Sequence, residues 1–180
     1  MNRTQSPPVE NETTRFEAIV IPHLDAAYNL ARWLTGNEND ARDMAQEASL
    51  RAFKFFHGFR GGDARAWLLT IVRNTVYTWL ERQRKSERVF GDDDKLETLE
   101  DVTVNPAHLL ERSANIELVR GAIAQLAPEF REAIVLREIE GFSYKEIADI
   151  TNVRIGTVMS RLARGRRELQ RILSEGSAIE

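Results

Sequence analysis

The chain has 180 residues, with 25 basic and 28 acidic side chains, a net charge of −3 and no cysteine. That length admits one ordinary domain or two small ones and excludes a large barrel enzyme; the missing thiols exclude disulfides, thiolate zinc sites, cysteine nucleophiles and cysteine-ligated clusters, and point to a reducing cytoplasmic home. Charge is sorted along the chain, since residues 91–101 hold six acids against Lys95 whereas residues 154–171 hold six arginines against Glu168.

The first fifteen residues are polar, with no apolar run fit for a secretion signal, and no stretch approaches the roughly 18 to 20 apolar residues of a membrane span. Thr14-x-x-Glu17 reads as a capping box that opens a helix. Leu24, Ala27, Tyr28, Ala31 and Leu34 then form an apolar stripe that Gly36 ends. Asn37 caps a second helix, in which Ala41, Met44, Ala45, Ala48, Ala52, Phe55 and Phe56 face one way and Asp40, Asp43, Glu47 and Arg51 largely the other. Gly58 and Gly61-Gly62 break the chain, Asp63 caps again, and Trp67, Leu68, Ile71, Thr75, Val76, Trp79 and Leu80 outline a third, long helix.

Between about 85 and 105 the apolar period disappears and acids crowd together, as in a hydrated, self-repelling linker. Asn105-Pro106 starts helix again, with Leu109, Leu110, Ile116, Val119, Ile123 and Leu126 along it and an interruption expected near Ser113. Pro128 opens and Gly141 closes the next helix. Ser143-x-x-Glu146 is a second capping box, beginning a short helix over 144–150. Residues 151–154 form a turn in which Asn152 supplies the left-handed conformation, and Ile155, Val158, Leu162, Gly165, Leu169 and Ile172 keep one face of a final helix. The expected fold is all-α: two small helical domains, 14–85 and 106–174, joined by an acidic linker over 86–105, the second ending in a helix-turn-helix.

A short support helix, a four-residue turn and a longer helix have the proportions of a unit that enters the DNA major groove. Ala148, Ile150, Val153, Val158 and Leu162 are expected to lock its two helices, and Gly156 to admit close approach of protein or phosphate. Arg154, Thr157, Ser160, Arg161 and Arg164 then face the groove and its walls, while Arg166, Arg167 and Arg171 meet phosphates, because an arginine fork either bonds guanine or clamps a phosphate. The bland alternative is a set of arginines that solubilise a terminal helix, against which the caps, turn length and sorted charge all weigh. His23, His57 and His108 lack metal spacing, and Asp92-Asp93-Asp94 lacks the spaced ligands of a calcium loop.

Several strings carry a resemblance that covers 16–173. They are Asn39-Asp40-Ala41-x-Asp43-x-x-Gln46-Glu47-Ala48 with Arg51-Ala52, Ala66-Trp67-Leu68-x-x-Ile71-x-Arg73-Asn74, Leu126-x-Pro128-x-x-Arg131, Leu136-Arg137-Glu138-x-x-Gly141-x-Ser143-Tyr144-x-Glu146-Ile147-Ala148, and Gly156-Thr157-Val158-x-Ser160-Arg161-Leu162-x-Arg164-Gly165-Arg166. In order across two modules, they resemble the extracytoplasmic-function group of bacterial sigma-70 factors. The resemblance implies a transcription initiation subunit, not an enzyme, which needs no metal or nucleotide of its own. Core RNA polymerase would dock on Asp40, Asp43, Gln46 and Glu47. The opened minus-ten strand would meet Arg73, Asn74, Tyr77 and Arg82, with Trp67 and Trp79 as core, and the second domain would read duplex promoter DNA at minus thirty-five. An anti-sigma protein is the further partner it implies. Thr78 and Arg154 depart from the usual pattern, the first where relatives carry aspartate, the second where they carry serine or proline. The rival readings are a one-component helix-turn-helix regulator that does not bind polymerase, and an all-helical interaction module.

Overall fold

Asn11 rather than Thr14 starts the first helix in the computed structural model, which describes residues 11–90 and 110–176. Asn11 has extended backbone, and its side chain accepts from the Thr13 amide at 3.3 Å, so the helix α1 (Glu12–Val20) begins early and Thr14 falls inside it. The expected capping box is therefore displaced by a cap three residues upstream. Pro22 sits in a tight turn over Ile21–His23 that separates α1 from α2 (Leu24–Thr35). Ala27, Leu30, Ala31 and Leu34 of α2 are buried, and Gly36, at φ +85°, ends it with its amide on the Arg32 carbonyl at 3.1 Å.

Asn37 caps α3 (Glu38–Phe55), accepting from the Asp40 amide at 2.8 Å, and α3 buries the small residues Ala41, Ala48 and Ala52 against its neighbours. The helix tightens after Phe55, which turns Phe56 inward and leaves Phe55 exposed, so the two do not share a face as expected. Asp63 accepts from the amides of Arg65 and Ala66 at 2.9 and 3.0 Å and thereby starts α4 (Ala64–Phe90). Leu68, Leu69, Val72, Thr75 and Val76 of α4 are buried. Phe16, Phe53, Phe56, Phe59 and Trp67 form an edge-to-face and stacked aromatic cluster beside them.

The second helical region holds α5 (Leu110–Gln125), α6 (Pro128–Ile134), α7 (Tyr144–Thr151) and α8 (Ile155–Gly176). Helix α5 runs unbroken through Ser113, in place of the expected interruption, while the Asn105-Pro106 start, His108 and most of the acidic stretch lie outside the described residues. After α6 the backbone widens over Val135–Ile139 to π geometry, with the Glu140 amide on the Val135 carbonyl at 2.9 Å, and Gly141 at φ +75° reverses the chain. Ser143 and Glu146 complete a reciprocal capping box, and Asn152 is left-handed at φ 52°, which sets α7 and α8 as a helix-turn-helix. Ile150, Val158 and Leu162 are buried between them, with Ala148 and Val153 partly so. The close approach expected of Gly156 occurs instead at Gly165. A Cβ there would lie 3.0 Å from Ile134 of α6, whereas one at Gly156 would meet open space.

All described elements are helical, and the buried apolar side chains of the two regions form one continuous core from Val20 to Leu162.

Candidate nucleic-acid interface

Helix α4 presents different chemistry on opposite sides. On one side Asp43 and Glu47 of α3 look across a groove at Trp79 and Arg82 of α4. Glu47 pairs with Arg51 at 2.7 Å, Asp43 and Gln46 are exposed, and Asp40 is engaged in the α3 cap, its carboxylate accepting from the Asn37 side chain. Of the four residues expected at the polymerase contact, Asp43 and Glu47 therefore line the groove, Gln46 stands outside it in solvent, and Asp40 is tied to the helix start. Trp79 lines the groove too, whereas Trp67 joins the aromatic cluster.

On the other side the Arg73 guanidinium lies 4.7 Å over the Tyr77 ring and 3.4 Å from the Asn74 side-chain oxygen. Three of the four residues expected at single-stranded DNA are thus together. Arg82 is not with them: nine residues beyond Arg73, it falls about half a turn round the helix, in the other groove. Arg73 Nε also donates to Glu132 Oε1 of α6 at 2.7 Å, and the Glu132 side chain is 1% exposed with Oε2 lacking a hydrogen-bond partner. Burial pushes the Glu132 carboxyl above its ordinary range, with the Arg73 charge and hydrogen bond opposing. Burial and then the Glu132 charge push the Tyr77 phenol up to about 12. Arg161 of α8 and Arg84 of α4 complete the walls of this cleft.

In the helix-turn-helix, Arg154, Ser160 and Arg164 are exposed, while Thr157 and Arg161 are half-buried. Arg166 is paired with Glu138 at 2.6 Å, and Arg171 is held between Glu168 and Glu175 at 2.7 and 2.6 Å. Arg167 is exposed and makes no ion pair among the described residues. The three expected phosphate contacts accordingly differ in how much charge each has free.

Further contacts bind the regions to each other. Arg65 of α4 pairs with the Glu140 carboxylate, donates to the Glu140 carbonyl at 2.8 Å and lies 4.7 Å over the Phe142 ring. Arg131 of α6 donates to the carbonyls of Trp33 at 3.2 Å, Leu126 at 3.1 Å and Ala124, and burial pushes its guanidinium pKa down. The sequence holds one trace of this contact: Arg65 and Arg73 are eight residues apart, as are Glu132 and Glu140, a match visible only once the two segments are known to run antiparallel. Among the described residues no acid–histidine group is arranged to hold a metal, and no helix is long and apolar enough to cross a membrane.

Known proteins resemble this chain in sequence and in fold. Sigma-70 region 2 matches residues 19–86 and sigma-70 region 4 matches residues 116–169. The extracytoplasmic-function RNA polymerase sigma factor SigE of Mycolicibacterium smegmatis is 34% identical over 91% of this chain, which spans 63% of that relative's length. EcfG of Rhodopseudomonas palustris, another such factor, is 36% identical over 78% of this chain and 75% of its own. The sigma factor RpoE from Bartonella quintana, solved in complex with the anti-sigma factor NepR, superposes with a TM-score of 0.71 at 31% identity, covering 92% of this chain and 98% of RpoE. With both regions matched in order on a shared all-helical fold, this chain belongs to the extracytoplasmic-function group of sigma-70 RNA polymerase sigma factors.

Proposed function

We propose that the chain directs core RNA polymerase to promoters in the cytoplasm, with residues 14–85 docking on polymerase and holding the opened minus-ten strand and residues 106–174 reading the minus-thirty-five duplex. The observation that carries this division is the two-sidedness of α4. A groove of mixed charge, with Asp43 and Glu47 beside Arg51, Arg82 and Trp79, suits a protein partner. Arg73, Asn74 and Tyr77 on the other side offer the cation and ring that unstacked bases and their phosphates require. Gln46 and Asp40 extend the docking face, and Arg82 joins it rather than the strand.

In the second region Arg161 is the base reader, oriented by Arg154, Thr157, Ser160 and Arg164, with Arg166, Arg167 and Arg171 beyond it along the backbone. Helix α4 runs five residues into the expected linker, so the acidic stretch that follows Phe90 is what links the two regions and sets how far they separate. The polymerase carries the nucleotidyl-transfer chemistry, so this chain acts by positioning. An anti-sigma protein that covers its polymerase-binding surface is the regulatory partner, supported by the relative solved with NepR.

Reconstitution of the purified chain with core polymerase on a promoter library tests the reading. The expected result is transcription from a defined subset with paired minus-ten and minus-thirty-five elements. Sequence-specific DNA binding with no affinity for core polymerase would establish the one-component regulator instead.

A further inference from the structure

The surface assigned to the opened strand is covered by the chain's own second region. Arg73 is 19% exposed and occupied by Glu132, and Tyr77 is walled in by Glu132, Glu129 and Arg161. About 12 Å along the same helix, eight residues away, Arg65 is occupied by Glu140, whose side chain is 5% exposed. The two carboxylates approach α4 as DNA phosphates would, as acceptors aimed at guanidinium groups. Two local features aim Glu140. The π segment after α6 shifts the following residues round the axis, and Gly141 then reverses the chain, so that both the carbonyl and the carboxylate of Glu140 reach Arg65. Phe142, immediately beyond, is buried under the Arg65 guanidinium. From the far side Arg131 reaches across to the last turn of α2, bonding the Trp33 carbonyl. Arg161, the residue placed to read duplex DNA, looks into the same cleft, so closure engages both DNA-binding regions together.

We propose that Glu132 and Glu140 form an intramolecular latch that mimics the DNA backbone on Arg73 and Arg65, holding the free chain closed and masking its own opened-strand surface until the two regions part. The masking rests on the assignment of Arg73 and Tyr77 to the opened strand, whereas the closure itself does not. A latch of this kind needs no second protein, and it makes single-stranded DNA binding by the free factor weak while leaving the Asp43–Glu47 groove open to polymerase. Removing one carboxylate leaves its guanidinium enclosed without a counter-charge, which favours separation.

The test uses the full chain, alone in solution. Small-angle scattering should give a compact particle for the wild type and a larger radius of gyration for the double variant Glu132→Ala, Glu140→Ala. Binding of a fluorescent minus-ten-strand oligonucleotide should rise at least tenfold in that variant. A charge-neutral lock provides the converse: the chain has no cysteine, so Arg65→Cys with Glu140→Cys can be bridged by a cleavable bis-maleimide. The bridged protein should lose oligonucleotide binding and recover it on cleavage, with helicity unchanged throughout. Oligonucleotide binding equal in bridged and cleaved protein overturns the masking, and a wild type already extended in solution overturns the latch. Arg73→Ala and Tyr77→Ala in assembled polymerase on a preopened promoter separate the two readings. Full activity there sinks the opened-strand assignment, while the scattering result still decides closure.

Discussion

Tyr77 reports the state of the cleft through its own proton. Its phenol is raised by burial first and by Glu132 second, with Glu129 adding and Arg73 and Arg161 opposing. Because the shift is upward, the stability that neutral Tyr77 lends the closed form is complete below its ordinary value near 10 and is lost as pH rises through about 12. The difference in phenolate absorbance between wild type and Tyr77→Phe isolates this group. Its midpoint should lie near 12 in the free chain and fall toward 10 in the Glu132→Ala, Glu140→Ala variant; a midpoint near 10 in the wild type contradicts the closed cleft. The arginines of α8 form a second residue-scale contrast. Each phosphate neutralised on duplex DNA changes the logarithmic salt slope by about 0.9. Arg167→Ala should reduce the slope by about that amount, whereas Arg171, already held by Glu168 and Glu175, should change it by less than half as much. Affinities measured over a salt series on cognate and altered sites check both. Equal slopes for the two variants would show that those ion pairs yield to DNA at no cost.

At the scale of the element, the packing of α8 on α6 turns on one missing Cβ. Gly165→Ala would set a methyl 3.0 Å from Ile134 Cγ1 and 3.4 Å from Phe130 Cβ, and Ile134 is fully buried and has little room to yield. Overpacking of this kind costs about 1 to 3 kcal/mol, against which Ala regains up to about 1 kcal/mol of helix propensity. A net loss of about 1 kcal/mol in urea unfolding is expected for Gly165→Ala, and a small gain for Gly156→Ala, whose added methyl meets nothing; the opposite order would show that α6 gives way. The same comparison explains what was legible in the sequence. Caps act within three or four residues, so Gly36, Asn37, Asp63, the Ser143–Glu146 box and left-handed Asn152 were readable as they stand, and with them most helix limits. The start of α1 differs from the expectation because two polar residues three positions apart, Asn11 and Thr14, both satisfy the local rule, and only the backbone at Asn11 decides between them. The roles of Gly156 and Gly165 were not separable, since both lie on one helix and the difference is made by Ile134, thirty-one residues from Gly165. The π segment left no periodic signal because it disturbs the pattern for only five residues.

On the proposed assignments the whole molecule combines a closed strand surface with an open docking groove on the far side of α4, and this arrangement orders events. The ion pairs between the regions left only the matched eight-residue spacing in the sequence, for partners 59 and 75 residues apart leave no local pattern. Yet they join two regions whose apolar side chains already form one core. A ligand shifts such an equilibrium only by its preference for one state. The proposed docking at Asp43 and Glu47 would touch a face present in both states, so first contact with polymerase should not itself open the latch. Opening should follow when the second region is drawn to a separate site and the promoter strand replaces Glu132 on Arg73. Reversing charge with Asp43→Lys and Glu47→Lys should therefore weaken binding to core polymerase by the same factor in the wild type and in the Glu132→Ala, Glu140→Ala background. Sites that share no partner add to within about 0.3 to 0.5 kcal/mol, so the coupling energy of this double-mutant cycle should fall inside that range. Titration of labelled chain against core polymerase at fixed salt measures all four corners of the cycle. A coupling well above 1 kcal/mol would mean that docking and unlatching are a single step, with polymerase selecting the open chain from solution and its apparent affinity reduced in proportion to how rarely the latch is open.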